Sequence, residues 1–143
     1  MNEKFIQNLD KLPPDIRRQF SLLMNQYGEK KKQKSIQTDF LTFVKHVWPD
    51  FIEGSHHKRI ADKFNKLASG EIKRLIINMP PRHTKSEFGS YLLPAWMVGR
   101  NPKLKIIQST NTTELSVRFG RKAKALIDSP EYQQVFKTKL RED

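Results

Sequence analysis

Residues Leu75–Ser86 read LIINMPPRHTKS. The stretch opens on three apolar residues and closes on Lys85-Ser86, the pair that ends a phosphate-binding loop. Such loops ordinarily rely on glycine, because successive backbone N–H groups must turn inward to cradle phosphate oxygens. In the spacing G-x-x-x-x-G-K-[ST], the two glycine places fall here on Met79 and Thr84. The stretch is therefore either a nucleotide cradle built without glycine or a proline turn that ends in Lys-Ser.

The flanking sequence favours the cradle. Leu75-Ile76-Ile77, within Arg74–Asn78, suits a short strand buried on both faces of a parallel sheet. From Lys85 onward the sequence reads as a helix, with Phe88, Tyr91, Leu92 and Met97 toward a core and Pro94 kinking or shortening it. Asn101-Pro102 marks a turn, and LKIIQ, residues 104–108, predicts a second strand. Asn111 with Glu114 resembles a capping box. The helix after it carries Leu115, Phe119, Ala123 and Leu126 on one face and stops at Ser129-Pro130. The remaining EYQQVFKTKLRED reads as a polar tail. The order strand, loop, helix, strand, helix predicts parallel strands with helical crossovers, an α/β fold of P-loop NTPase type with a partial sheet.

An N-terminal helical region is expected before that sheet. Pro13-Pro14-Asp15 opens a first helix, Ile16, Phe20, Leu23, Met24 and Tyr27 recur at helical spacing, and Gly28 ends it. GEKKKQKS, residues 28–35, reads as a basic linker or as a DNA-contacting arm. Thr38 and Asp39 cap a second helix with Phe40, Phe43, Val44 and Val47 on one face, and Trp48-Pro49 ends it. A third begins near Ser55-His56, carries Ile60, Ala61, Phe64, Leu67 and Ala68, and closes at Gly70.

Composition narrows the partners. The 143 residues suffice for one domain with a modest core. With 27 Lys+Arg against 15 Asp+Glu the chain carries +12, and its isoelectric point lies near 10.0. That balance fits a polyanion, nucleic acid first, a basic soluble surface, or a fragment whose acidic half lies elsewhere. The absence of cysteine excludes disulfides and thiolate metal sites. No apolar run approaches the ~20 residues of a membrane span, and MNEKFIQNLDK lacks the apolar core of a signal peptide.

In a cradle at this position each residue type has a task. Lys85 reaches the β and γ phosphates, and the Ser86 hydroxyl coordinates Mg²⁺. Pro80 and Pro81 fix the entering backbone but lack N–H groups, so the donors come from residues 82–86. Thr84, at the second glycine place, requires a conformation that a β-branched side chain tolerates. Arg82 adds a cation that can stabilise charge developing on a γ phosphate. His83 reads as a solvent-facing loop residue.

With these residues in view, RLIINMPPRHTKSEFGSYLLPAW, residues 74–96, resembles the ATPase domain of tailed-bacteriophage terminase large subunits, many of which carry a loop of the form PPRHGKS or PPRHTKS. KIIQSTNTTELSVRFGRKAKALIDSPEYQQVF is similar to that family's second strand and helix, and HHKRIADKFNKLASGEIKRL to its helix before the loop. The likeness runs from about Phe40 to the C-terminus.

The resemblance implies residues 1–35 as N-terminal helix and linker and residues 36–143 as the front portion of the ATPase domain. It implies ATP and Mg²⁺ as cofactors, with Pro81, Arg82, His83, Thr84, Lys85 and Ser86 lining the nucleotide, Ser86 holding the metal, and Arg82 and Lys85 acting in catalysis. His57 lies where related motors place an adenine-reading glutamine, with a capping or surface role for His56 and His57 as the other reading. Arg118 and Arg121 would touch DNA or a neighbouring subunit, or simply solvate their helix. The implied partners are double-stranded DNA, the prohead portal, a small terminase subunit and further copies in a ring, in the host cytoplasm and transiently at the prohead, with no membrane.

The family's later acidic strand, coupling motif and nuclease carboxylates have no counterpart. Asp50, Glu53, Asp128, Glu131, Glu142 and Asp143 make no pair suited to two-metal cleavage, so no nuclease activity is expected. The chain reads as the ATP-binding part of a packaging motor. The alternatives are a nucleotide- or DNA-binding fragment without catalysis, or another P-loop ATPase of helicase-like type.

Overall fold

The Asp39 carboxylate explains why the second helix begins where it does. It accepts from the Thr42 backbone N–H at 2.7 Å and from the Thr42 hydroxyl at 2.6 Å, an N-cap that satisfies one of the four orphan donors of a helix start. Its other oxygen accepts from Asn65 Nδ2 at 2.8 Å, and Asn65 Oδ1 accepts from the Phe40 N–H at 2.8 Å. Burial pushes the Asp39 carboxyl up, but these bonds from Thr42 and Asn65 outweigh it and hold the group below its ordinary value.

The computed structural model describes residues 13–140, and those residues form α1 (Pro14–Thr38), α2 (Phe40–Val47), α3 (Ser55–Ser69), α4 (Lys85–Glu87), a π-helical stretch (Phe88–Leu92), α5 (Leu93–Arg100), α6 (Thr113–Asp128) and α7 (Pro130–Val135). The leader reading of MNEKFIQNLDK and the carboxylates Glu142 and Asp143 lie outside them. The chain divides into two compact units, Met1–Lys34 and Ser35–Asp143. In the first, α1 does not stop at Gly28; it runs on through GEKKKQKS, so the linker expected over 28–35 is helical and solvent-exposed. A glycine inside a helix costs only about 1 kcal/mol, which the Lys, Glu and Gln around it offset as good helix formers.

The α/β reading is overturned. Helix accounts for 67% of the described residues, and among them there is no strand and no sheet, so no parallel P-loop sheet is present. Neither apolar run forms a strand or joins a ladder. Around the first, Leu75, Ile77 and Met79 are half-buried against the core, while Ile76 is 86% exposed. That is the alternation of a chain covered on one face, not the two-face burial expected. In the second, Ile107 is 97% exposed. A short hydrophobic run is compatible with a strand, but a strand also needs a hydrogen-bonded neighbour, and local sequence does not supply one.

The core of the second unit is aromatic. Phe40 lies 5.0 Å from Phe64, 5.4 Å from Phe88 and 5.5 Å from Trp96 between ring centroids, each pair edge to face. Phe43 meets Tyr132 and Phe136 at 6.2 and 5.9 Å. Buried polar tips find partners: Trp96 Nε1–H donates to the Ile36 carbonyl at 3.1 Å, and the Tyr132 hydroxyl to the Ala95 carbonyl at 2.8 Å. Burial pushes the Tyr132 hydroxyl up to about 12. The segment read as a polar tail therefore contributes Tyr132, Val135 and Phe136 to the core. The expected helix over Leu115–Leu126 is present as α6, but Thr112 rather than Asn111 caps it, its hydroxyl accepting from the Leu115 N–H.

Gly99, in the last turn of α5, sits against α7 and Phe136. A Cβ there would meet Phe136 Cγ at 2.6 Å and the Tyr132 hydroxyl at 2.6 Å. Helix propensity alone favours alanine over glycine by about 1 kcal/mol. Overpacking a filled core costs about 1–3 kcal/mol, so we expect Gly99→Ala to lower the midpoint of urea unfolding, whereas Gly120→Ala, with open space around it, raises it.

Candidate phosphate-binding loop

The loop Pro80–Thr84 leads into α4 by an unusual backbone path. Arg82 and Thr84 have positive φ, 64° and 56°, and His83 between them does not. Alternation of this kind turns neighbouring N–H groups to one side and makes an anion-binding concavity. A hollow of about 170 Å³ follows, lined by Pro80 through Glu87. Small-molecule pockets run roughly 300–1,000 Å³, so this hollow has room for phosphate and not for a base and sugar as well.

The candidate residues fall into two groups. Pro81, Arg82, His83, Lys85 and Ser86 are exposed around the hollow. Lys85 Nζ donates to the Met79 carbonyl at a long 3.4 Å, a contact easily given up. Ser86 brings one hydroxyl. Mg²⁺ at nucleotide sites is held by one or two protein groups plus substrate phosphates, so Ser86 suits a metal that arrives with a nucleotide. Among the described residues no group of three or more acidic, histidine or cysteine side chains could hold an ion alone. Arg118 and Arg121 are exposed on α6.

His57 and Thr84 are the second group. His57 is 5% exposed. Its Nδ1 accepts from the Gly54 N–H at 2.8 Å at the start of α3, and its Nε2 lies 2.6 Å from the Thr84 hydroxyl, which itself donates to the His83 carbonyl at 2.7 Å. With both ring nitrogens engaged, His57 would have to break one bond to read an adenine. Thr84 does not take the easy loop geometry expected for it: a β-branched residue at positive φ is a genuine outlier, and its two hydroxyl bonds hold it there.

Two features of this region were missed by sequence reasoning. Glu87, immediately after the Lys-Ser pair, takes Lys122 of α6 on both oxygens, at 3.0 and 2.9 Å. Tyr91, half-buried beside Glu87, has its hydroxyl pushed up to about 12 by burial and by that carboxylate. The adjacency of Glu87 to Lys85-Ser86 was the available signal; the partner from 35 residues away was not readable.

Burial is the main reason that the His57 imidazole stays below its ordinary 6.5, with His56 and His83 adding to it and Glu53 opposing. Folded protein then binds fewer protons at this site than unfolded protein between the two values, so stability rises with pH across that window and is lost on acidification below about 6.5. Asp39 and Glu53, both lowered from ordinary values of 3.8 and 4.5, lose their contributions only at more acidic pH. Urea midpoints are expected to fall from pH ~7 to ~5 in the native chain and to stay flatter in His57→Asn.

No described helix is long and apolar enough to cross a membrane. Comparison of the chain with protein-family models, with curated proteins and with solved structures finds no match.

Proposed function

We propose that the Pro80–Glu87 loop grips the phosphates of ATP, and that the chain is the ATP-binding part of a viral DNA-packaging motor that couples hydrolysis to translocation of duplex DNA into a prohead. The observation that carries this reading is the loop itself: a phosphate-sized hollow, formed by alternating backbone φ, with Arg82 and Lys85 exposed on its rim. The likeness of residues 74–96 to packaging terminases supports the motor assignment, and the charge of +12 supports a DNA partner. Contacts would be mainly to DNA phosphates and therefore weaken steeply with salt. On this reading Ser86 meets Mg²⁺, further copies complete a ring, and the portal and a small terminase subunit are the protein partners in the host cytoplasm.

A second reading, nucleotide or DNA binding without hydrolysis, is favoured by Glu87. Hydrolysis needs a group that orients or activates the attacking water, and the loop's own carboxylate, Glu87, is committed to Lys122. Calorimetric titration with MgATP and phosphate release with and without duplex DNA separate the two. The motor reading expects DNA-stimulated release that Lys85→Ala abolishes. The binding reading expects affinity lost in Lys85→Ala and no turnover in either chain. Failure of the native chain to bind MgATP defeats the motor reading and the nucleotide-binding form of the second, leaving only DNA binding.

A further inference from the structure

We propose that His57 is the positioning residue of the phosphate loop: seated beneath it, the neutral Nε2–H imidazole latches the Thr84 hydroxyl and so holds the backbone turn that makes the hollow. This rests on the phosphate-loop reading above and assigns the loop's shape to a residue 27 positions away from it.

The need for a latch follows from residue type. Glycine adopts positive φ without cost, but the loop has threonine at its second glycine place, at φ 56° and ψ 9°. Such strain persists only where the surroundings over-determine it. Here two bonds meet on one hydroxyl, donation to the His83 carbonyl and acceptance from His57. The tautomer is fixed from the other side: Gly54 N–H points at Nδ1, so Nδ1 carries no proton and the ring's single proton is on Nε2, facing Thr84. Phe51 and Phe88, 4.8 and 5.1 Å away between centroids, wall the ring in.

A second proton would turn Nδ1 from acceptor into donor and set it against Gly54 N–H. The charged and titratable groups facing the ring are His56 on the same helix, 3.8 Å between centroids, Glu53 just before that helix, and His83 from the loop. Glu53 is itself paired with Lys45 of α2 and Lys58 of α3. Protonation therefore breaks the Gly54 bond that seats the ring while Nε2–H still faces Thr84; the latch loses its anchor, and phosphate binding weakens on acidification.

Two side chains separate the latch from the cap. Asparagine at 57 places an oxygen where Nδ1 stands and keeps the bond from Gly54, but does not reach Thr84. Glutamine carries an amide N–H to the place of Nε2. The experiment is calorimetric titration with inorganic tripolyphosphate between about pH 5 and 8. At about pH 7.5, His57→Asn and Thr84→Val are expected to lose about tenfold in affinity, the worth of one hydrogen bond, and His57→Gln to recover most of that loss. The native chain should weaken more than His57→Gln on acidification, a comparison that cancels the ligand's own titration.

If His57→Asn and Thr84→Val bind as the native chain does while Lys85→Ala does not, the latch is wrong and the phosphate loop stands. If Lys85→Ala binds as well as the native chain, the phosphate loop itself falls. Nitrogen-15 NMR of the unmodified protein makes the test independent of variant folding: an Nε2–H tautomer at His57 supports the latch, and an Nδ1–H tautomer overturns it.

Discussion

Replacing Phe40 by alanine is expected to cost about 3–5 kcal/mol of folding free energy, the range for deleting a buried aromatic side chain. Phe40 is 0% exposed and stands where α2, α3, the π-helical stretch and α5 converge, with Phe43, Phe64, Phe88 and Trp96 around its ring. Domains of this size hold a total of about 5–15 kcal/mol, so the variant should have a midpoint far below the native one in urea, or be unfolded without denaturant. The informative companion is Ile76→Ala. Had residues 74–78 been a strand buried on both faces, that change would cost about 2–5 kcal/mol. With Ile76 exposed, it should stay within about 0.5 kcal/mol. A large loss at Ile76 with an unchanged m-value would contradict the helical fold described above.

Lys85→Ala is the second. The ammonium group lies on the rim of the loop hollow, with a single long bond to the Met79 carbonyl, so its removal should leave the urea midpoint within about 0.5 kcal/mol of the native value. A charge-assisted hydrogen bond to phosphate is worth about 1.5–3 kcal/mol, which converts to roughly 10- to 150-fold in affinity for MgATP. The combination of intact stability and lost affinity identifies a ligand-binding cation. Lys122→Ala makes a useful contrast: it frees Glu87 beside the same hollow without removing a rim cation, and should weaken binding through the exposed negative charge.

Which parts of this were readable in the sequence follows from how local each signal is. Asp39 with Thr42, and Gly70 in the left-handed conformation at the end of α3, are decided by residues within a turn of each other, and both helix boundaries were legible. So was the apolar face Ile60, Ala61, Phe64. Leu75-Ile76-Ile77 and LKIIQ were read as sheet strands and form none, because strand pairing depends on distant chain. Tyr132, Val135 and Phe136 stand at i, i+3 and i+4, a helical spacing that the surrounding Gln, Lys and Thr obscured. At the loop, the types and spacing of Arg82, Lys85 and Ser86 pointed to phosphate. The backbone did not, since glycine is the usual sign of positive φ and Thr84 reaches it through His57, 27 residues earlier.

A crystal grown with a non-hydrolysable ATP analogue and Mg²⁺ puts the phosphate cradle to the test. The expected result is triphosphate density in the hollow between Pro80 and Glu87, with Lys85 Nζ turned from the Met79 carbonyl onto a phosphate oxygen and the base lying outside. An empty hollow at saturating analogue, with Lys85 still on Met79, would contradict it.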